Sequence, residues 1–337
     1  MQTRLYYLDN LKTLLTVLVI FHHAGQAYGD GGEWGYTPTN PAEVIPWIWH
    51  FFSTNAAFFM GLYFFIAGYF VPISFDRQGV KQFVKKKFVR LGIPLVAMSL
   101  FISSLSGKVE VAHLWFVESL LIFSLAYALL RSVSSPISAK QRCSLTLPGL
   151  LLFGLLMGSG CYFIRQVSPQ DHWIRLWLWT FEPAHYLQYL LMFVGGILAY
   201  RFHWMEQMNR HTGLTALTIG LLLAIGNYLV GENCWGHFVG RWFGFYESLL
   251  CVFISTGLLW FFRECGGWTH RFWRWSASQS YGAYVFHLPL MIGFQYLVDD
   301  VWMGAVGKFL CVGIVITLVS YLLTWLIRMI PGVKRVL

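Results

Sequence analysis

The stretch LDNLKTLLTVLVIFHHAGQ, residues 8–26, decides how the rest of the chain is read. It opens with an acid and a base, Asp9 and Lys12. Nine residues without a charge follow, and then two adjacent histidines, His22 and His23. An apolar run of this kind is the pattern of a helix in apolar surroundings, where an imidazole is costly unless it is bonded or used. At 100° per residue, Lys12 and His23 return to within about 20° of one another after three turns, separated by roughly 16 Å along the axis. His22 points about 80° away from the Lys12 direction. The two histidines are therefore not equivalent: a polar pocket on one face would take His23 and not His22. Asp9, three residues before Lys12, allows a local ion pair. Two readings of these groups stay open. Asp9 and Lys12 could anchor a helix end at the interface, with His23 bonded to water or backbone. Alternatively, all three could line a working site.

Composition extends the reading to the whole chain. Of its 337 residues 57% are hydrophobic and only 12% charged, against roughly 25% charged in soluble domains. So few charges cannot cover so much apolar surface in water, whereas lipid solvates it. Ten apolar runs follow one another, at about 8–27, 47–71, 91–107, 113–131, 147–164, 184–200, 213–230, 243–262, 280–297 and 308–329. With the N-terminus inside, 19 of the 24 Lys and Arg residues fall on the inner side, strongly obeying the positive-inside rule. An even number of spans returns the C-terminus to the cytosol. The expectation is an all-α integral membrane protein of about ten transmembrane helices, both termini cytosolic, in one polytopic domain over residues 1–337. The net charge of +9 lies in short blocks between apolar runs. That distribution marks topology and not a nucleic-acid surface. Six scattered cysteines show no metal-ligand spacing, so no metal is expected. No signal peptide is expected, because Asp9 and Lys12 stand at the start of the first run and no small-x-small cleavage site follows.

On this topology His22 and His23 sit at the outer end of the first helix. The largest basic cluster, in FDRQGVKQFVKKKFVR (75–90), sits on the cytosolic side. Several motifs along the chain now agree. LDNLKTLLTVLVIFHH resembles the first helix of the membrane acyltransferase family 3, in which an Asp precedes an Arg-x10-His motif. Here the match is Lys12-x10-His23, with Lys in place of Arg, which removes the bidentate fork an Arg would offer. FFIAGYFVPISF followed by FVKKKFVRLGIPL resembles the end of the family's second helix and its Arg-x2-Arg motif, matched by Lys87 and Arg90. HLWFVESLLIF from His113, FEPAHYLQYLLMFVGGILAYR, and SQSYGAYVFHLPL from Ser278 resemble later helices in the same order. The resemblance implies a ten-helix enzyme that moves an acyl group from acyl-CoA to a carbohydrate hydroxyl across the membrane. It also implies that His23 is the catalytic base.

The chemistry of the residues is compatible with that. Acyl-CoA is cytosolic and polyanionic, and Lys87 and Arg90 are i, i+3 neighbours able to face its phosphates, with Lys85 and Lys86 adding field. Lys12 would flank the same donor. The same cluster also serves topology alone. His113, Trp115 and Glu118 open the fourth run, on the outer side, where they could support the acceptor or cap and anchor the helix. Glu118 and Glu247 lie inside spans and should face protein or water. Glu182 and His185 form an i, i+3 pair suited to acceptor binding or capping. His287 near the end of the ninth run, just before Pro289, reads equally as structural or functional. The expected partners are membrane lipid and a glycan acceptor, at the bacterial inner membrane, with an oligomeric state that the sequence leaves open. A competing reading is a secondary transporter with a His/Glu proton relay, although the internal repeats common in transporters are absent.

Overall fold

The structure, a computed structural model, describes residues 4–29, 35–135, 144–176, 179–229 and 240–337. Lys140, Arg142, His237 and the end of the segment after His23 lie outside them, as does the side chain of Arg241. The helices are α1 (Tyr6–Gln26), α2 (Ile48–Lys87), α3 (Ile93–Ser106), α4 (Trp115–Val133), α5 (Leu147–Val167), α6 (Pro183–Arg201), a short α7 (Trp204–Gln207), α8 (Arg210–Leu229), α9 (Gly240–Cys265), α10 (Arg271–Leu297) and α11 (Gly304–Ile327). Each of the ten apolar runs falls on one of them. Six helical stretches among the described residues are long and apolar enough to cross a membrane: Ile48–Ser106, Ala112–Val133, Leu147–Val167, Arg210–Leu229, Trp242–Cys265 and Gly304–Ile327. The chain is therefore a helical membrane protein. One local departure from the all-helical expectation is a small antiparallel hairpin, β1 (Ile174–Leu176) and β2 (Trp179–Phe181), with Ile174 opposite Phe181. The β-branched and aromatic residues there suit a pleated surface better than a helix.

Contacts group the chain into two compact units, residues 1–55 with 266–337, and residues 56–265. In the first unit α1 packs on α10 and α11. Its core is built from Ile20, Ala24, Tyr28, Met291, Phe309 and Val312. Polar contacts fix the register of α1. The Asn10 amide donates to the carbonyls of Gly266 and Trp268, at 2.7 and 3.0 Å. Thr13 and Tyr321 both meet the Ser280 hydroxyl at 3.2 Å. Beyond the far end of α1, residues 36–43 are tied down by two groups. The Asp299 carboxylate accepts from the Tyr36 hydroxyl (2.7 Å) and from the Thr39 hydroxyl and N–H. Those bonds from Thr39 and Tyr36 hold its carboxyl below the ordinary carboxylate range. Lys308, only 1% exposed, donates to both oxygens of Glu43 and to the Asp299 carbonyl. A buried ammonium without such partners would be prohibitive.

In the second unit α9 packs on α5 and α8, and α5 on α6. The rings of Phe64, Phe116, Phe123 and Tyr189 join α2, α4 and α6. Outward faces are apolar: α5 exposes Leu151, Leu152, Leu156 and Phe163, a surface that only lipid or another apolar partner would cover without cost. Two glycines set the approach of α2 to α6. A Cβ on Gly68 would overlap the carbonyl oxygen of Phe193, and one on Gly196 would overlap that of Phe65. The backbones thus touch, as small residues permit in membrane helices. A third glycine, Gly79, has φ +70 inside α2 and interrupts it, a conformation open to glycine and strained for other residues. The break falls inside the basic segment 75–90, just after Asp76 and Arg77.

The glycine contact yields a paired test. Gly196→Ala is expected to cost about 1–3 kcal/mol of stability by forcing the backbones apart, read as a lowered Tm in detergent. Gly195→Ala adds its methyl at 3.6 Å from the Phe65 ring, an ordinary contact, and should leave Tm nearly unchanged. Equal Tm values for the two variants would contradict the backbone contact.

Candidate active site

The last turn of α1 carries His22 and His23, and helical phase sends their rings in different directions. His22 is buried with its ring 5.0 Å from that of Phe52. His23 is half-buried and meets α10, where its Nδ1 lies 2.8 Å from Nε2 of His287. The two rings are within 21° of parallel. His287 is 0% exposed, and its other nitrogen, Nδ1, lies 2.6 Å from the carbonyl oxygen of Tyr284, one turn back on α10. A half-exposed imidazole is thus held through one nitrogen by a fully buried one. This is the arrangement a base requires if its orientation is to be fixed before substrate arrives.

At the opposite end of α1, Asp9 accepts from Arg4 at 2.7 Å and from Lys12 at 2.8 Å. The acid-base pair visible in the sequence is formed, and Lys12 is engaged locally. Asp9, Lys12, His23 and His287 all belong to the first unit.

The remaining candidates belong to the second unit. Lys87 closes α2 with its ammonium 5.3 Å from the Phe83 ring centroid. Arg90 is exposed on the π-helical turn Phe88–Gly92 that follows, and Lys85 and Lys86 are exposed beside it. Lys85, Lys86 and Arg90 form an exposed basic run, with Lys87 half-buried among them. His113 is buried in the 3-10 turn before α4. Trp115 stacks on Tyr189 at 5.3 Å and lies 5.8 Å from Trp173.

Four charged residues of α5, α9 and the start of α6 line up as a chain. Glu247 is 1% exposed, accepts from Arg165, and has its other oxygen 2.9 Å from His185 Nε2 as an ion-pair contact. His185 Nδ1 lies 2.5 Å from Glu182. With a carboxylate beside each ring nitrogen, the charged form of His185 is the favoured one. The chain then holds two anions and two cations and is neutral as a whole. Glu182 also accepts from the Asp171 N–H at 2.7 Å, and Glu118 from the Thr180 N–H at 2.9 Å. These two glutamates fasten both ends of the β1–β2 hairpin to the helices. Burial and the neighbouring Glu182 carboxylate push the Asp171 carboxyl up.

Arg165 is among the five Lys and Arg residues that the positive-inside count leaves on the outer side, and in the structure it ends this chain of charges at Glu247. The available signal was a lone arginine ending an apolar helix, which needs an acid in the same layer. Breaking the chain has a calculable cost. Glu247→Gln leaves Arg165 and His185 as buried cations facing a single acid. A loss of about 3–5 kcal/mol is expected, read as a lower Tm. Adding Arg165→Met should recover part of it, and a double variant no more stable than Glu247→Gln would contradict the pairing.

Comparison with known proteins gives this geometry its context. The sequence model of acyltransferase family 3, described as an acyltransferase domain, matches residues 5–325. Similar proteins include those named "Glucans biosynthesis protein C" from Escherichia coli O9:H4 (strain HS) and Escherichia coli (strain K12 / DH10B). Each is 24% identical over 382 residues, covering 98% of this chain and 96% of the relative. No solved structure matches the chain. The match spans the His23 helix, the basic run, the chain of buried charges and the His287 helix together, and the chain belongs to acyltransferase family 3.

Proposed function

We propose that this protein transfers an acyl group, expected to be acetyl, from cytosolic acyl-CoA to a hydroxyl of a glucan or related carbohydrate. The acceptor would lie on the extracytoplasmic side of a bacterial inner membrane, with both termini in the cytosol. His23 is the general base. The observation that carries the reading is the imidazole of His23 held at Nδ1 by His287, in a chain whose family transfers acyl groups. The relatives' name supplies the glucan.

In this reading His23 removes the proton from the acceptor hydroxyl as its oxygen attacks the thioester carbonyl. The new C–O ester bond forms, the C–S bond breaks, and the thiol of CoA leaves. The donor binds through its phosphates. The exposed Lys85, Lys86 and Arg90, with Lys87, offer the cations for them, and four charges of one sign within six residues concentrate an anionic ligand even before contact. Lys12, already paired with Asp9, could serve the donor only by exchanging that partner.

Two measurements test this. His23→Ala should abolish acyl transfer from acetyl-CoA to a gluco-oligosaccharide by purified protein, about 100-fold or more, with normal expression. His22→Ala should keep most activity, since it loses packing against Phe52 and no proton acceptor. Equal loss in both would remove His23 from the role. Separately, Lys87→Ala combined with Arg90→Ala should raise the acetyl-CoA KM roughly tenfold with a smaller effect on kcat. An unchanged KM would separate the basic run from donor binding.

A further inference from the structure

The bonds around His287 constrain where the protons sit. The Tyr284 carbonyl oxygen has no hydrogen, so the 2.6 Å contact requires the proton to be on His287 Nδ1. His287 is 0% exposed, and a neutral imidazole is far cheaper than a cation in such a site. A neutral ring with its proton on Nδ1 carries a lone pair on Nε2, and that lone pair faces His23 Nδ1 at 2.8 Å. His23 Nδ1 is then the donor, and the remaining lone pair of His23 is on Nε2.

We infer that His287 is a positioning residue, which sets His23 in the tautomer whose base nitrogen is Nε2. The inference rests on the proposed role of His23 as base. The chain of donors runs from His23 Nδ1–H to His287 Nε2, and from His287 Nδ1–H to the Tyr284 carbonyl. It is the orienting logic of the serine-protease triad, with a neutral imidazole and a backbone carbonyl in place of the buried carboxylate. No charge has to be buried behind the base in the resting state.

The arrangement also acts during reaction. The acceptor O–H bond breaks and its proton goes to His23 Nε2. The alkoxide oxygen forms the ester bond as the C–S bond breaks, and the electron pair leaves with the thiolate. While His23 is an imidazolium, its Nδ1–H bond to His287 is charge-assisted and stronger than in the neutral state. That gain exists only on the reacting path, so it belongs to kcat. His23 then gives the Nε2 proton to the thiolate and returns to its starting tautomer.

The test compares side chains that differ in what they offer His23 Nδ1, in purified full-length protein with acetyl-CoA and a gluco-oligosaccharide. His287→Ala should lower kcat about 100-fold, with both KM values within about threefold of wild type. His287→Gln, which can present an accepting oxygen, should recover about tenfold of that loss. His287→Lys, which only donates, should recover none. A loss confined to KM would overturn the inference. So would equal kcat in the Gln and Lys variants, or recovery by Lys alone, which would mean the proton runs the other way. Nitrogen-15 NMR of histidine-labelled unaltered protein avoids any folding problem in the variants. The signals lost in His23→Gln should show a protonated Nδ1 and an unprotonated Nε2; the opposite pattern overturns the inference. If His23→Ala retains activity, the base itself is refuted. If His23→Ala is inactive while every His287 variant keeps the wild-type kcat, the positioning role alone fails.

Discussion

Every charge placed among apolar helices has to be answered by another group, and much of this fold is arranged around those answers. Lys308 on α11 reaches Glu43 and the Asp299 carbonyl, and so draws the segment after α1 onto the end of the bundle. Arg165 on α5 meets Glu247 on α9, which meets His185 on α6. In water such pairs contribute little, because solvent competes for them. In an apolar interior the unpaired alternative is so costly that the pairing dictates which helices are neighbours and at what height. The ion pairs thereby supply register, while the apolar faces supply packing that lipid would rival.

Much of this was legible in the sequence. Ten apolar runs separated by basic blocks located the long helices, because length and hydropathy are what a bilayer selects, but α2 runs on to Lys87 and α10 starts at Arg271, well outside the runs at 47–71 and 280–297. The phase of α1 separated His22 from His23, since 100° per residue is a fixed geometry. The hairpin at 174–181 was missed, for a run of three residues per strand carries no periodicity to read. The partnership of Arg165 with Glu247 was also missed: an arginine closing an apolar helix calls for an acid, but the two are 82 positions apart, and nothing local says which acid answers it. Glu118 and Glu182 were noticed as acids near apolar runs, but their bonds to backbone N–H groups of Thr180 and Asp171 depend on a loop whose path the sequence does not encode in any short pattern.

The histidine pair illustrates the boundary between these two kinds of knowledge. His23 could be singled out from spacing, and His287 from its place in a motif. Their contact is a fact of tertiary structure, across 264 positions. The carbonyl of Tyr284 could not have been named at all, because every residue has one. It acquires meaning only through the ring nitrogen in front of it.

Gly79 has a mechanical corollary. The φ of +70 ends one rod and starts another, so residues 80–87 take their own direction. That direction is set by side chains: Phe83, 1% exposed, lies 5.4 Å from the Phe75 ring on the other side of the break, and Phe75 in turn meets Tyr127 of α4. The glycine bends the chain and the phenylalanines clamp the bend. The lysines of 85–87 therefore keep a fixed place relative to α2 and α4 even though the helix axis does not run through to them.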